Sequence, residues 1–445
     1  MKHAPTPEPT QPPGTASTAH EDTDTGPPDA AGPQLLDRAG RRYDPAEPRW
    51  CGDDGSPLMM EPLPGITREQ IDRDTPSQWR YRAALPLPPS LRPVSLGEGR
   101  TPLLARHLAG REVAVKVEAL NPTGSFKDRG TSVMISALAH QGVGALLEDS
   151  SGNGGSSVAA YCAAAGIDAQ ILAPESTSPS KLLQSRLHGA HVELVPGSRQ
   201  ATAEEALRRS RTRFYSSHNW HPQFLQGTKL IAYELWEDLG FTVPSAVVMP
   251  AGAGSLVLGC ALGFTELHRA GHIKSVPRLL VSQPARCSPL VHALNAGIDH
   301  VEPRTWGPTL AEGTAIAQPV RDREVLAAIR ASNGAATTVE EADLRNATLQ
   351  LARTGLYVEP TSAQVVAATA QFITQGHLAP DESAVLILTG SGHKADAAMA
   401  RLEASTSRSP VLALLAEKPS ATGSRRSSAQ PRRVTATSTI ARTTR

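Results

Sequence analysis

Asn121-Pro-Thr-Gly-Ser-Phe-Lys-Asp-Arg-Gly130 joins a strand-like stretch to a helix-like one. The run Val113–Val117 before it is short and β-branched, and the longer Lys127–His140 segment after it is rich in Ala, Ser and Leu. Lys127 therefore sits in a turn that opens a helix. An ammonium prefers full hydration, but in a cleft near a helix N-terminus its charged form is disfavoured, and the neutral amine suits carbonyl chemistry. Taken alone, Lys127 reads by default as a solvated lysine in a Gly/Pro turn.

Outward from this turn the same alternation repeats. Strands are expected at Val113–Val117, Ala145–Asp149, Ala169–Ala173, Val192–Val195, Ala246–Met249, Leu279–Ser282 and Ala384–Leu388. Helices are expected at Lys127–His140, Gly154–Ala165, Lys181–His188, Ala201–Arg211 and Val257–Arg269. Strands followed directly by helices predict an α/β protein with mostly parallel sheets covered on both faces. Its ligands should lie at the carboxyl ends of the strands.

A chain of 445 residues exceeds one ordinary core, so two lobes with a cleft between them are expected. Residues 1–34, polar and Pro-rich, and residues 405–445, Ser/Thr/Arg-rich with Arg425-Arg426 and Arg432-Arg433, are expected to be disordered tails. The basic tail reads as a solvated segment or as a contact for an acidic surface. A net charge of +1 gives the folded part no field for nucleic acid or a membrane surface. The N-terminal stretch has no apolar core of a secretory signal, and no run is long enough to span a bilayer. The four cysteines (Cys51, Cys162, Cys260 and Cys287) form no CxxC pair, so a reducing cytoplasm is expected.

Three more junctions carry candidate chemistry. Asp149-Ser-Ser-Gly-Asn-Gly-Gly-Ser-Ser157 brings glycine-opened backbone to a helix start, and reads either as an anion site or as a plain turn with an Asn cap. Pro250-Ala-Gly-Ala-Gly-Ser-Leu256 presents amides suited to a phosphate. Its rival, a dinucleotide fingerprint, lacks the third glycine at GxGxxG spacing. Leu388-Thr-Gly-Ser-Gly-His-Lys394 ends an apolar strand with hydroxyls.

The string NPTGSFKDRG resembles the cofactor-lysine motif of the fold-type II pyridoxal 5′-phosphate enzymes, and within them the threonine synthase family. The resemblance runs from about Leu96 to Leu402. It implies two lobes, each a mostly parallel twisted sheet flanked by helices, within residues 35–404, the smaller lobe (about 130–215) being inserted in the larger. It makes Lys127 the Schiff-base lysine and proton carrier, puts Asn153 at the 3′-oxygen of the cofactor ring, and puts Ser151 and Gly152 at the substrate carboxylate. Gly252, Ala253, Gly254 and Ser255 would hold the cofactor phosphate, and Thr389, with Ser391 second, would face the ring nitrogen. A neutral hydroxyl there tunes electron withdrawal without maximising it. Tyr357-Val-Glu-Pro-Thr-Ser-Ala363 and Thr309–Ile316 resemble two further family segments, although Thr361, Ser362, Glu359 and Glu312 also read as helix-start residues.

The implied reaction turns O-phosphohomoserine into threonine, so a second phosphate needs a pocket, for which Lys116, Ser125 and Arg129 are candidates. The sequence departs from the family in three places. His221 and Phe224 replace the Asn and Arg of a family segment that keeps Lys229, and an aromatic ring does not repair the loss of a bidentate donor. His393 stands where the family has Leu, and reads as a local acid or base or as a packed surface side chain. Trp50–Leu58 resembles a zinc-ribbon start with one cysteine left, which argues against a metal and for an N-terminal extension packed on the first lobe. Elimination or replacement on serine-, threonine- or phosphoserine-type substrates is the alternative chemistry, and a cofactor-binding scaffold working through its tail is the non-enzymatic one. A homodimer is implied by the resemblance.

Overall fold

The computed structural model describes residues 33–406, so the expected tails lie almost wholly outside the described residues. In chain order its elements begin with β1 (Leu35–Leu36), β2 (Arg42–Tyr43), β3 (Met59–Met60), β4 (Leu103–Leu108), β5 (Arg111–Val117), α1 (Lys127–His140), β6 (Ala145–Glu148) and α2 (Asn153–Ala165). They continue through β7 (Asp168–Pro174), α3 (Pro179–Leu187), β8 (His191–Val195), α4 (Arg199–Arg209), β9 (Phe214–Tyr215), α5 (Pro222–Thr228) and α6 (Leu230–Asp238). Next come β10 (Ala246–Pro250), α7 (Ser255–Arg269), β11 (Arg278–Pro284), α8 (Pro289–Asn295), α9 (Asp322–Ala331), β12 (Ala335–Val339), α10 (Glu341–Arg353), α11 (Pro360–Thr374) and β13 (Ala384–Leu388). Asp396–Thr406 forms a helix, α12, in a separate unit that starts at Asp396.

The larger sheet has the order β12-β11-β10-β13-β5-β4, parallel except for the edge strand β4. Its inner strands β10 (AVVMP) and β13 (AVLIL) are buried along their whole length, as expected for parallel strands covered on both faces. A second sheet, β8-β7-β6-β9, is entirely parallel. All seven expected strands are present. In these two sheets the edge strands β4, β9 and β12 are additional; they are short or partly open and carry no continuous apolar run to mark them.

Three neighbouring strands of the larger sheet, β10, β13 and β5, end on the same side, so the segments after Pro250, Leu388 and Val117 meet there. Backbone links lock two of these together. Phe126 N–H donates to Thr389 O at 2.9 Å, Ser391 N–H to Gly124 O at 2.9 Å, and Ser125 bridges to Gly390. Asp128 then fixes the turn to the second sheet's α2: its carboxylate accepts from Thr123 N–H at 2.7 Å and from the hydroxyls of Thr123 and Ser157, each at 2.6 Å.

Strands β2-β1-β3 form a small antiparallel sheet whose core is Leu35, Tyr43, Leu58 and Met60. This extension is anchored by buried Arg321, which donates to Leu58 O at 2.8 Å, to Asn219 O at 3.1 Å and to Trp220 O. Trp50 adds edge contacts to Tyr215 at 5.1 Å and Trp220 at 5.3 Å.

Candidate active site

Lys127 is the first residue of α1 and only partly covered. Its Nζ stands 4.7 Å from the centre of the Phe126 ring and 5.5 Å from that of Phe224, and it forms no ion pair among the described residues. Dense packing around the amine drives its pKa down to about 7 from the ordinary 10.5; the charges of Glu148 and Glu359 resist this and that of Arg199 assists it. The neutral amine is thus well populated near neutral pH.

Asn153 Nδ2, at the start of α2, donates to Glu359 at 3.2 and 3.3 Å. Glu359 caps α11, and burial lifts its carboxyl to about 7. Thr389 is buried, with Oγ1 3.0 Å from Ser362 Oγ, and Ser362 also receives Gly390 N–H at 2.7 Å. Ser391 accepts from His393 N–H at 3.3 Å, and the exposed His393 ring packs on Tyr357 at 5.0 Å. Ser151, Gly152 and Asn153 are half-open at the start of α2.

Gly252, Ala253, Gly254 and Ser255 wrap the N-terminus of α7. Gly254 has φ +86°, and a Cβ there would lie 2.2 Å from Val325 Cγ2, so only glycine fits. A Cβ at Gly252 would come within 3.1 Å of Gly313 O, Ile316 Cγ1 and Thr314 Cα, which places the Thr309–Ile316 segment beside this loop.

Three expected substrate contacts are committed within the fold or covered. Lys116 is fully buried, its Nζ 2.6 Å from both Glu234 and Asp238. Arg129 is equally buried, held by Glu118 at 2.6 Å and Glu234 at 2.8 Å. A substrate phosphate would have to displace these carboxylates, so both cations serve the fold instead. Ser125 is fully covered beneath the turn, with Oγ 3.4 Å from Lys127 N. Lys229 is likewise committed, to Glu266 at 2.7 Å, and the Phe224 ring lies over Gly130.

In their place the structure brings up groups that the sequence reading passed over. Glu148, the last residue of β6, pairs with His218 Nδ1 at 2.8 Å. Lys394 donates to Ser156 Oγ at 2.6 Å and to Gln184, and burial lowers its amine to about 8. Glu148 gave a signal, an acid at the carboxyl end of an apolar parallel strand. His218 gave none locally, since only the fold carries it to β6.

The residues present fit pyridoxal phosphate: an amine with no ion-pair partner among the described residues, a glycine-opened helix start that a side chain would fill, and a buried hydroxyl pair opposite. Residues 94–390 match the family described as pyridoxal-phosphate dependent enzyme, and the chain belongs to that family. Within it, the chain is 33% identical over 337 residues to the threonine synthase of Methanosarcina acetivorans, covering 73% of this chain and 82% of that one. It is 34% identical over 323 residues to the threonine synthase of Mycobacterium tuberculosis, covering 71% and 87%. Among solved structures, a fungal L-serine ammonia-lyase from Rhizomucor miehei superposes with a TM-score of 0.60 at 22% identity, covering 69% of this chain and 98% of that one. Maize serine racemase gives 0.59 at 21%, covering 69% and 93%. These two likenesses concern the fold.

Proposed function

We propose that this enzyme is a lyase of the threonine synthase type, converting O-phospho-L-homoserine to L-threonine and phosphate. The observation that carries this is the Lys127 amine, neutral near pH 7, in a chain one-third identical to threonine synthases over more than four-fifths of their length. Bound pyridoxal phosphate supplies an aldehyde that bonds amines and a ring that withdraws electrons from the substrate's α-carbon.

The chain's own residues then divide the work. Lys127 would hold the cofactor through its amine, and the same amine would take and return protons at the substrate carbons. Amides of Gly252, Ala253, Gly254 and Ser255, at the α7 N-terminus, would hold the cofactor phosphate. Asn153, held by Glu359, would orient the cofactor ring, and Thr389, hydrogen-bonded to Ser362, would with Ser391 offer it a neutral hydroxyl. Ser151 and Gly152 receive the substrate carboxylate. Residues 35–404 are proposed as one catalytic region with the smaller lobe at about 130–215, acting in the cytoplasm as a homodimer. Among the described residues no helix is long and apolar enough to cross a membrane.

The holoenzyme should be incubated with O-phosphohomoserine, and in parallel with O-phosphoserine, serine and threonine. Phosphate and threonine in equal amounts from the first substrate alone are expected. Turnover of the serine-type substrates without phosphate release from phosphohomoserine would transfer the assignment to β-elimination or β-replacement, the chemistry that loss of an arginine at Phe224 favours.

A further inference from the structure

Strand β6 carries the fully buried carboxylate of Glu148 at its carboxyl end, and the segment after β9 brings His218 onto it. Both oxygens are engaged: Nδ1 lies 2.8 Å from Oε1, and the backbone N–H of His218 donates to Oε2 at 3.2 Å. This bidentate hold fixes the ring and favours the tautomer with hydrogen on Nδ1, leaving Nε2 as an acceptor. The imidazole fills the space beside Asn153, because a Cβ at Gly154 would lie 2.6 Å from its Cε1 and Nδ1. The Phe224 ring, where a relative's arginine would stand, is 5.6 Å from the imidazole and 5.5 Å from Lys127 Nζ. Histidine and lysine therefore both approach one apolar ring, and His218 is nearly but not fully buried.

We propose that Glu148 and His218 form a second proton-transfer pair beside Lys127, in which His218 Nε2 takes a proton from the water that adds to the substrate. The inference rests on the threonine-forming reaction proposed above. As the water oxygen bonds to the unsaturated β-carbon of the substrate, its O–H bond breaks and the proton passes to Nε2. The C=C electron pair moves to the α-carbon, where protonated Lys127 delivers a proton, and His218 releases its own to solvent. A carboxylate-oriented imidazole is built for this role. The charged groups that face the pair are Lys127 from α1, Arg199 from α4 and Asp149 after β6. Burial, followed by the Lys127 charge, holds the imidazole well below its ordinary range against the pull of Asp149, so it stays an unprotonated base. Burial raises Glu148 to about 7, opposed by Lys127 and Arg199.

The test compares wild-type holoenzyme with His218→Gln and Glu148→Gln, measuring phosphate, threonine and 2-oxobutanoate from O-phosphohomoserine. His218→Gln is expected to release phosphate within about threefold of wild type while threonine per phosphate falls at least about 30-fold, the balance appearing as 2-oxobutanoate. Glu148→Gln moves the ratio the same way by about tenfold. A threonine-to-phosphate ratio unchanged in both variants overturns the proposal. Nitrogen-15 NMR of the wild-type holoenzyme gives a second readout: a neutral His218 ring with hydrogen on Nδ1 is expected between about pH 8 and 9, where the Glu148 carboxyl is ionised. A cation or the Nε2–H tautomer overturns the pair. A wild-type enzyme that releases no phosphate overturns the threonine-forming reaction alone, and the imidazole spectrum then decides the pair.

Discussion

The Lys127 amine looks onto two aromatic rings and has no carboxylate within ion-pair distance among the described residues, which makes its charged form the costly one. Below about pH 7 the amine is protonated in both the folded and the unfolded chain, and the folded, cofactor-free protein carries the full penalty. From about 7 to 10.5 the folded chain binds fewer protons than the unfolded one, so stability rises with pH and the penalty fades. Lys127→Met should therefore raise the melting temperature of the cofactor-free protein most at about pH 6 and little at about pH 10. An equal gain at both values would show that the amine is not shifted. Phe224 belongs to the same scale, since its ring lies 5.5 Å from the Lys127 amine and 5.6 Å from the His218 ring.

The helices α1 and α5 touch backbone to backbone because both carry glycine at the contact. A Cβ at Gly227 would lie 2.2 Å from Arg129 O and 2.8 Å from Gly130 Cα, with backbone on the far side and nothing flexible to yield. Gly227→Ala should separate the two helices and cost about 1–3 kcal/mol, read as a lower urea midpoint at unchanged slope. Because α5 carries Phe224 to the Lys127 amine, the same variant should also slow turnover. A full-strength midpoint would mean that the helices slide apart freely. The N-terminus of α7 is the second element built around a glycine, since Gly254 alone accepts the backbone turn that aims its amides outward.

At the scale of the whole molecule, Glu234 on α6 gathers Lys116 from β5 and Arg129 from α1, and accepts the backbone N–H groups of Arg100 and Thr101 at 2.8 and 3.0 Å. Burial alone would raise its carboxyl, but the charges of Arg129 and Lys116 hold it well below the usual carboxylate range. Its contribution is therefore complete above the unfolded value of about 4.3 and is lost only as pH falls through the lower folded value. Glu234→Gln leaves two buried cations short of a partner and should cost about 3–5 kcal/mol in denaturant unfolding at neutral pH. A loss below about 1 kcal/mol would mark the network as solvent-screened. This network also divides what could be read early from what could not. The seven expected strands, the turn at Asn121–Gly130 and the glycine loops were legible in the sequence, because apolar runs, helix starts and obligatory glycines are local properties. The edge strands β4 and β12 were not, since half-exposed residues leave no continuous apolar signature. Nor could sequence tell that Lys116 and Arg129, a few residues from Lys127, turn into a core of carboxylates while His218, 91 positions away, turns toward it. Charge type is written in the chain, but which opposite charge it meets depends on distances that only the packed sheets and helices set.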